Sequence, residues 1–525
     1  MTPFVGRQTL TAMTTPPAVL LDGQSLTIPD VVAFARTPGA RIELDPGALA
    51  DLARSRATID RAVAQGATMY GINTGFGKLA NIRIDPGSLE QLQTNLIRSH
   101  AAGVGQPLPV EIVRAMMLLR TNVLLRPTSG VRPELVEALA RMASSGIVPV
   151  VPEQGSVGAS GDLAPLSHLA LALMGEGDVI TATGAREPAA AGLARAGLKP
   201  FRFAAKEGLA FINGTQAQTA LLALLVADGL VLWRTAVGAA AMSLEALTGT
   251  PTPLDPRIHE ARPHRGQVRT AALMRGLLAE SEIRESHRDN DPRVQDAYSL
   301  RCTPQVLGSV ADGLEFATEV AAVELNASTD NPLVFENGDV LSGGNFHGQP
   351  VAQALDFLAI GFTTLQALAE RRVERLVNPD LSQGLPAFLT DDPGLRSGFM
   401  MVQITAASLV AESRTLAYPA SIGSIPTDAN QEDFVPMGMA AAFKARRILA
   451  NASLVVAAEL MCAAQGLDLL APLKPGRGIA DLHQRVRHGP AGVARLTDDR
   501  PPGPDLERLA AGVAAGAFDP GDPGA

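Results

Sequence analysis

The stretch Gly155-Ser156-Val157-Gly158-Ala159-Ser160-Gly161-Asp162-Leu163-Ala164-Pro165-Leu166 decides how the rest of this chain is read. Three glycines punctuate an otherwise apolar segment, and Asp162 and Pro165 follow. That composition predicts a sharply bent loop leading into a helix over Leu166–Met174. Ala-Ser-Gly is ordinary turn material by itself, but Ala159-Ser160-Gly161 in a bent loop has a chemistry of its own. With the backbone folded onto itself, the Gly161 nitrogen can attack the Ala159 carbonyl carbon and close a five-membered ring. Glycine gives that approach the least steric resistance. Loss of two waters turns the Ser160 Cα–Cβ bond into an exocyclic double bond. The product, a methylidene-imidazolone, is an electrophile that no ordinary side chain supplies.

Downstream of the loop the texture changes. Beyond Phe211, long Ala/Leu/Val-rich stretches dominate: Thr215–Leu247, Gln305–Leu325, Pro350–Leu376, Gly398–Leu416 and Met437–Leu469. Each is long enough for many helical turns, and alternating strand patterns are scarce. Helices apolar on most of their circumference must be buried on most sides. Several of them predict a thick bundle completed by partner subunits. Upstream, from Thr27 to about Pro200, short helical patterns alternate with Gly/Pro-rich loops, and Glu111–Leu125 and Glu134–Ser145 are the clearest helices. The expected fold is mostly α: a large multi-helix bundle with a smaller mixed N-terminal domain carrying the bent loop. The expected division is a tail at 1–25, an N-terminal domain at 26–210, the bundle at 211–517 and a tail at 518–525.

Of 525 residues, 46% are hydrophobic and 18% charged, enough for a large core. The net charge of −9 gives no basic footprint for nucleic acid or anionic lipid. Two cysteines, Cys302 and Cys462, make no disulfide framework and suit a reducing cytoplasm. The first residues carry no long apolar stretch of the kind a secretory signal needs. Within Thr219–Met242 the apolar run ends at Asp228, with Arg234 beyond, so a buried bundle helix is expected there rather than a membrane span. The eight histidines are scattered, with no H-E-x-x-H and no Cys/His cluster, so no metal is expected. His483 and His488 read as a solvated helix face.

Other positions can act on a small polar substrate. Tyr70 opens the glycine-rich run Tyr70-Gly71-Ile72-Asn73-Thr74-Gly75-Phe76-Gly77 and is one of only three tyrosines. A phenol becomes a base when its surroundings lower its pKa. Arg301, in Gln295-Asp296-Ala297-Tyr298-Ser299-Leu300-Arg301, is a carboxylate partner type, and helical spacing would bring Gln295, Tyr298 and Arg301 to one side. Asn213, ahead of the long Thr215 helix, reads as a helix cap or as an amide donor. Gly343-Gly344-Asn345-Phe346-His347-Gly348 reads first as a tight turn, Ser99-His100 as a structural histidine, and Asn430-Gln431-Glu432-Asp433 supplies a carboxylate.

Taken together and in this order, these motifs resemble the histidine/phenylalanine/tyrosine ammonia-lyase family from about Leu44 to Leu470. The resemblance implies a homotetramer with active sites shared between subunits. It implies a 4-methylidene-imidazol-5-one formed autocatalytically from Ala159-Ser160-Gly161, and no external cofactor. It further implies Tyr70 as the base for the β-proton, Arg301 on the substrate carboxylate, Tyr298 and Gln295 near the amine, and Phe346 against the prosthetic group. Asn213 is implied as a donor beside it. His100, Gln431 and Glu432 approach the substrate side chain, and Ser-His at the first spot with Glu after Asn-Gln follows the histidine-type pattern. A buried imidazole needs partners for both nitrogens, which His100 and Glu432 provide and a phenyl ring would leave unsatisfied. The chain departs from that pattern at Tyr418, Gly423 and Phe434, and at Glu412-Ser413-Arg414. The expected reaction is deamination of L-histidine to trans-urocanate. The alternatives are a tyrosine or phenylalanine substrate, an aminomutase, or a catalytically silent scaffold of the same fold.

Overall fold

Three long helices set the frame: Gln216–Ala246, Gln349–Val377 and Gly438–Leu469. In the computed structural model, which describes residues 16–65, 69, 71–289 and 291–521, they pack along one another, with Thr303–Glu324 and Met400–Leu416 alongside. Each begins and ends within three residues of the stretch expected from its apolar run. Alanine and leucine fill the space between them, as an aromatic content of 4% requires. One hydrophobic cluster runs from Val19 to Phe518 through both halves of the chain. All three helices are long and apolar enough to cross a membrane, yet 78%, 61% and 78% of their most apolar windows are buried inside the protein.

Charge is also buried in the frame. Arg372 and Glu459 are both fully enclosed and pair at 2.9 Å (Nη2 to Oε2). Ser243 Oγ donates to the same carboxylate at 2.7 Å, so all three long helices meet at one satisfied ion pair. Such a pair is costly to break singly, because the survivor is left charged in an apolar interior.

The N-terminal part is mixed, as expected. Among the described residues its strands are short, two to four residues each, in separate small sheets. The tail expected at 1–25 contains ordered structure. Ala18–Leu21 forms a strand paired parallel with Arg41–Leu44, and Leu21 is buried. The C-terminal tail is likewise anchored: Phe518 is buried, and Arg234 Nε donates to Asp519 at 2.8 Å. Apolar side chains and a charge partner hold both segments, and their Pro and Gly content hid this. His483 is also not solvated, since its Nε2 lies 2.8 Å from Asp468 in a partly buried pair, whereas His488 is exposed. The loop helix spans Leu163–Leu173, starting three residues before the expected position.

Candidate active site

The tripeptide lies in a turn gripped by its neighbours. Gly158 and Gly161 bridge to each other, and Gly161 also bridges to Gly214. Gly161 has φ 77°, and a Cβ there would come within 2.2 Å of the Gly214 carbonyl oxygen, so glycine alone fits. The Asp162 N–H donates to that same oxygen at 2.7 Å.

Asp162 ties this turn to the start of the Gln216–Ala246 helix. Its buried carboxylate accepts from the backbone N–H groups of Ala217 and Gln218 at 3.0 and 2.9 Å, and from Ser156 Oγ at 2.8 Å. The first N–H groups of a helix have no partner within the helix, and an anion suits them. Burial nonetheless raises the Asp162 carboxyl to about 6, against the pull of these hydrogen bonds.

Asn213 does not cap the long helix. Its Nδ2 donates to the Ser160 carbonyl oxygen at 2.9 Å, and its Oδ1 is buried without a partner. The Gly348 N–H donates to the Gly158 carbonyl at 3.2 Å, which brings the turn holding half-buried Phe346 against the tripeptide. Glu432 faces Ser160 from the other side. Ser160 Oγ donates to Glu432 Oε1, and Thr427 Oγ1 donates to Oε2 at 2.6 Å. Between Thr427 and Glu432 the backbone doubles back through Asp428, Ala429 and Asn430, all at positive φ (47°, 52° and 65°). Gln431, beside Glu432, is exposed.

His100 ends the Leu89–His100 helix. Its Nδ1 lies 2.9 Å from the Leu96 carbonyl oxygen. A carbonyl only accepts, so Nδ1 carries the proton and Nε2 presents a lone pair. Burial lowers the His100 pKa, opposed by the Leu96 hydrogen bond and by the charges of Glu432 and Asp428. The histidine and the carboxylate therefore share one neighbourhood. Tyr70 lies outside the described residues, but the run after it docks here. The Lys78 N–H donates to Asp428 Oδ2 at 3.1 Å, and a Cβ on Gly77 would meet the same oxygen at 2.1 Å.

Gln295, Tyr298 and Arg301 are elsewhere. Thr250 N–H donates to Asp296 at 2.7 Å, and Arg293 donates to the Leu247 carbonyl at 3.2 Å, so the segment sits at the C-terminal end of the Gln216–Ala246 helix. The tripeptide is at its N-terminal end. Thirty-one residues separate the two, a span of about 45 Å at 1.5 Å per residue. Tyr298 and Arg301 share the short Tyr298–Arg301 helix, with the guanidinium carbon 4.5 Å from the ring centroid, whereas Gln295 precedes it in an exposed stretch. Tyr298 is 71% exposed, and Arg301 Nε is buried without a partner. That orphan donor suits an incoming carboxylate.

Sequence reading missed several contributors. Thr427 orients Glu432, Asp428 meets the glycine-rich run, and the Leu96 carbonyl sets the His100 tautomer. The Asp-Ala-Asn run at 428–430 was a usable signal, since Asp and Asn tolerate left-handed backbone. Phe434, one of the departures from the histidine-type pattern, is 56% exposed; its ring stacks 6.1 Å from that of His347, and its carbonyl oxygen lies 3.1 Å from His347 Nε2.

A ring made from residues 159–161 needs a doubled-back backbone, a donor for the Ser160 carbonyl oxygen and no side chain at 161. The bridged turn, Asn213 Nδ2 and Gly161 fit each demand. The aromatic amino acid lyase profile matches residues 26–488. The chain belongs to the aromatic amino acid lyase family. It is an enzyme of the carbon–nitrogen lyase class, and the resemblance seen in the motifs holds over nearly its whole length. It is 51% identical over 511 residues to a histidine ammonia-lyase of Anaeromyxobacter dehalogenans, covering 95% of this chain and 99% of that relative. Among lyase-family structures it is similar to histidine ammonia-lyase from Trypanosoma cruzi (TM-score 0.87, 44% identity, 95% and 94% covered). It is also similar to tyrosine aminomutase from Streptomyces globisporus (TM-score 0.89, 39% identity, 95% and 97% covered).

Proposed function

We propose that this lyase removes ammonia from L-histidine, without oxidation, to give trans-urocanate, the opening step of histidine degradation. The observation that carries this reading is the pairing of His100 and Glu432 beside Ser160. His100 offers an acceptor at Nε2 and Glu432 offers a carboxylate, so an imidazolium, which donates from both nitrogens, finds a partner for each.

The prosthetic group fitted by residues 159–161, a 4-methylidene-imidazol-5-one, supplies an electrophilic methylene next to the substrate amine. The remaining roles belong to ordinary side chains. Asn213 holds the Ser160 carbonyl oxygen through Nδ2, a donor aimed where negative charge collects. Phe346 closes the apolar side of the tripeptide. Tyr70 takes the β-proton. Arg301 binds the carboxylate, and Tyr298 and Gln295 stand by the amine. Gln431 borders the side-chain pocket next to Glu432.

Because one chain holds these two groups of residues at opposite ends of a long helix, we infer a homotetramer in which copies complete each other's sites. The exposed apolar side chains Phe316, Val323, Phe357, Ile360, Met401 and Ile404 on neighbouring bundle helices support burial against further copies. Two free cysteines, one of them buried, suit the cytoplasm.

Incubating pure protein with L-histidine and following the ultraviolet absorbance of a conjugated acid tests the reading, and no rise rejects it. The likeness to a tyrosine aminomutase favours a second reading, in which tyrosine or phenylalanine is the substrate or ammonia returns at Cβ. A substrate panel with product analysis separates the two, since a β-amino acid marks the mutase.

A further inference from the structure

The Ser160 hydroxyl has a specific partner. It donates to Glu432 Oε1, while Thr427 Oγ1 occupies Oε2 of the same carboxylate at 2.6 Å. Thr427 and Glu432 are further fixed by reciprocal backbone hydrogen bonds, 2.8 Å from Thr427 N to Glu432 O and 3.3 Å in return. A carboxylate oriented this firmly toward a serine that must lose its oxygen is placed for more than substrate binding. We propose that Glu432 catalyses the second dehydration of the tripeptide, the loss of the Ser160 hydroxyl, before it ever meets substrate.

The balance runs as follows. The Gly161 nitrogen bonds to the Ala159 carbonyl carbon. The carbonyl oxygen leaves as the first water with the protons of the Gly161 and Ser160 nitrogens, and a carbon–nitrogen double bond forms between Ala159 C and Ser160 N. In the second step the Ser160 Cα–H bond gives its electron pair to the new Cα–Cβ double bond. The Glu432 carboxylate takes that Cα proton, the Cβ–O bond breaks with its pair on oxygen, and Glu432 returns the proton to that oxygen, completing the second water and restoring the carboxylate. Hydroxide is a poor leaving group, and a positioned acid typically contributes about 10²- to 10⁴-fold to such a step. Asn213, on the Ser160 carbonyl oxygen, stabilises the charge that builds when Cα loses its proton.

This inference rests on the reading that residues 159–161 cyclise, and intact-protein mass separates the two. Wild-type protein should be two waters lighter than its sequence. A wild-type chain of full mass overturns the cyclisation itself. Glu432→Gln should stop one water short, with the ring closed and the serine hydroxyl retained. Glu432→Asp, which keeps the acid, should reach full dehydration slowly, and Thr427→Val should lag wild type to a lesser degree. Circular dichroism and native mass identify folded, assembled material, on which alone the masses are read. A folded Glu432→Gln chain lacking both waters at the wild-type rate overturns the proposal, as does one that has lost none, which would assign Glu432 to ring closure instead.

Discussion

The two ends of the Gln216–Ala246 helix make opposite impressions. At its N-terminal end the tripeptide turn, Asn213, Glu432, His100 and the docked glycine-rich run crowd together, tied by hydrogen bonds and by charge. At its C-terminal end Tyr298 stands 71% exposed, and Arg301 has a buried Nε with nothing to bind. The first region is complete within the chain except for what lies beyond its edge. The second is a set of tools facing outward. On the proposed function, such a site is completed when another copy brings its outward end to the first copy's crowded end, which ties catalysis to assembly.

The largest effect should come from breaking the crowded end at its centre. Ser160→Ala removes the atom that must depart, so turnover with histidine should vanish and the intact mass should show no second dehydration; residual wild-type turnover would end the comparison. The decisive test of the two-ended view is complementation. Ser160→Ala and Arg301→Ala should each be inactive as pure assemblies. Co-expressed chains should regain about a quarter of wild-type activity, because each site draws its two halves from different copies at random. No recovery in properly mixed assemblies would put both halves in one chain.

Smaller changes sharpen each end separately. Arg301→Lys keeps the charge but loses the planar fork, and should raise KM about 10- to 100-fold with a lesser fall in kcat. An effect confined to kcat would remove Arg301 from substrate binding. His100→Leu should lower kcat/KM for histidine by about 10- to 100-fold while leaving phenylalanine turnover nearly unchanged, since only an imidazole uses the Nε2 acceptor. Equal losses on both substrates would make His100 structural.

The remaining effect is on stability rather than turnover and concerns pH. The Asp162 carboxyl is raised from 3.8 to about 6, so the folded chain holds this proton more tightly than the unfolded chain. Stability from this group is therefore full below about pH 4 and is lost as pH rises to about 6, by about 3 kcal/mol at most. Denaturant unfolding across that window should show wild type weakening relative to Asp162→Asn as pH increases. Parallel profiles would mean that the hydrogen bonds at Ala217 and Gln218 offset burial fully.

Much of this was legible in the residues. The runs that became Gln216–Ala246, Gln349–Val377 and Gly438–Leu469 announce themselves by composition, because a helix apolar all round has nowhere to go but a bundle interior. Ala159-Ser160-Gly161 becomes legible through its flanks, because Gly155, Gly158, Asp162 and Pro165 mark a bent loop around it. Less visible were contacts made by backbone atoms. The Leu96 carbonyl that sets the His100 tautomer has no sequence signature, and Asn213 read from its own neighbours as a cap or an amide donor alike, because the target that decides between them, the Ser160 carbonyl, is 53 positions away. Leu21 and Phe518 lay in stretches whose Pro and Gly suggested loose ends, yet each found a place in the core.

The order and kind of elements, the bent loop around Ala159-Ser160-Gly161 and the family follow from local composition and short-range spacing, which a linear chain displays directly. Which carboxylate meets Ser160, and that Arg301 stands a helix length away from it, depend on where segments hundreds of residues apart come to rest, and only packing in three dimensions sets that.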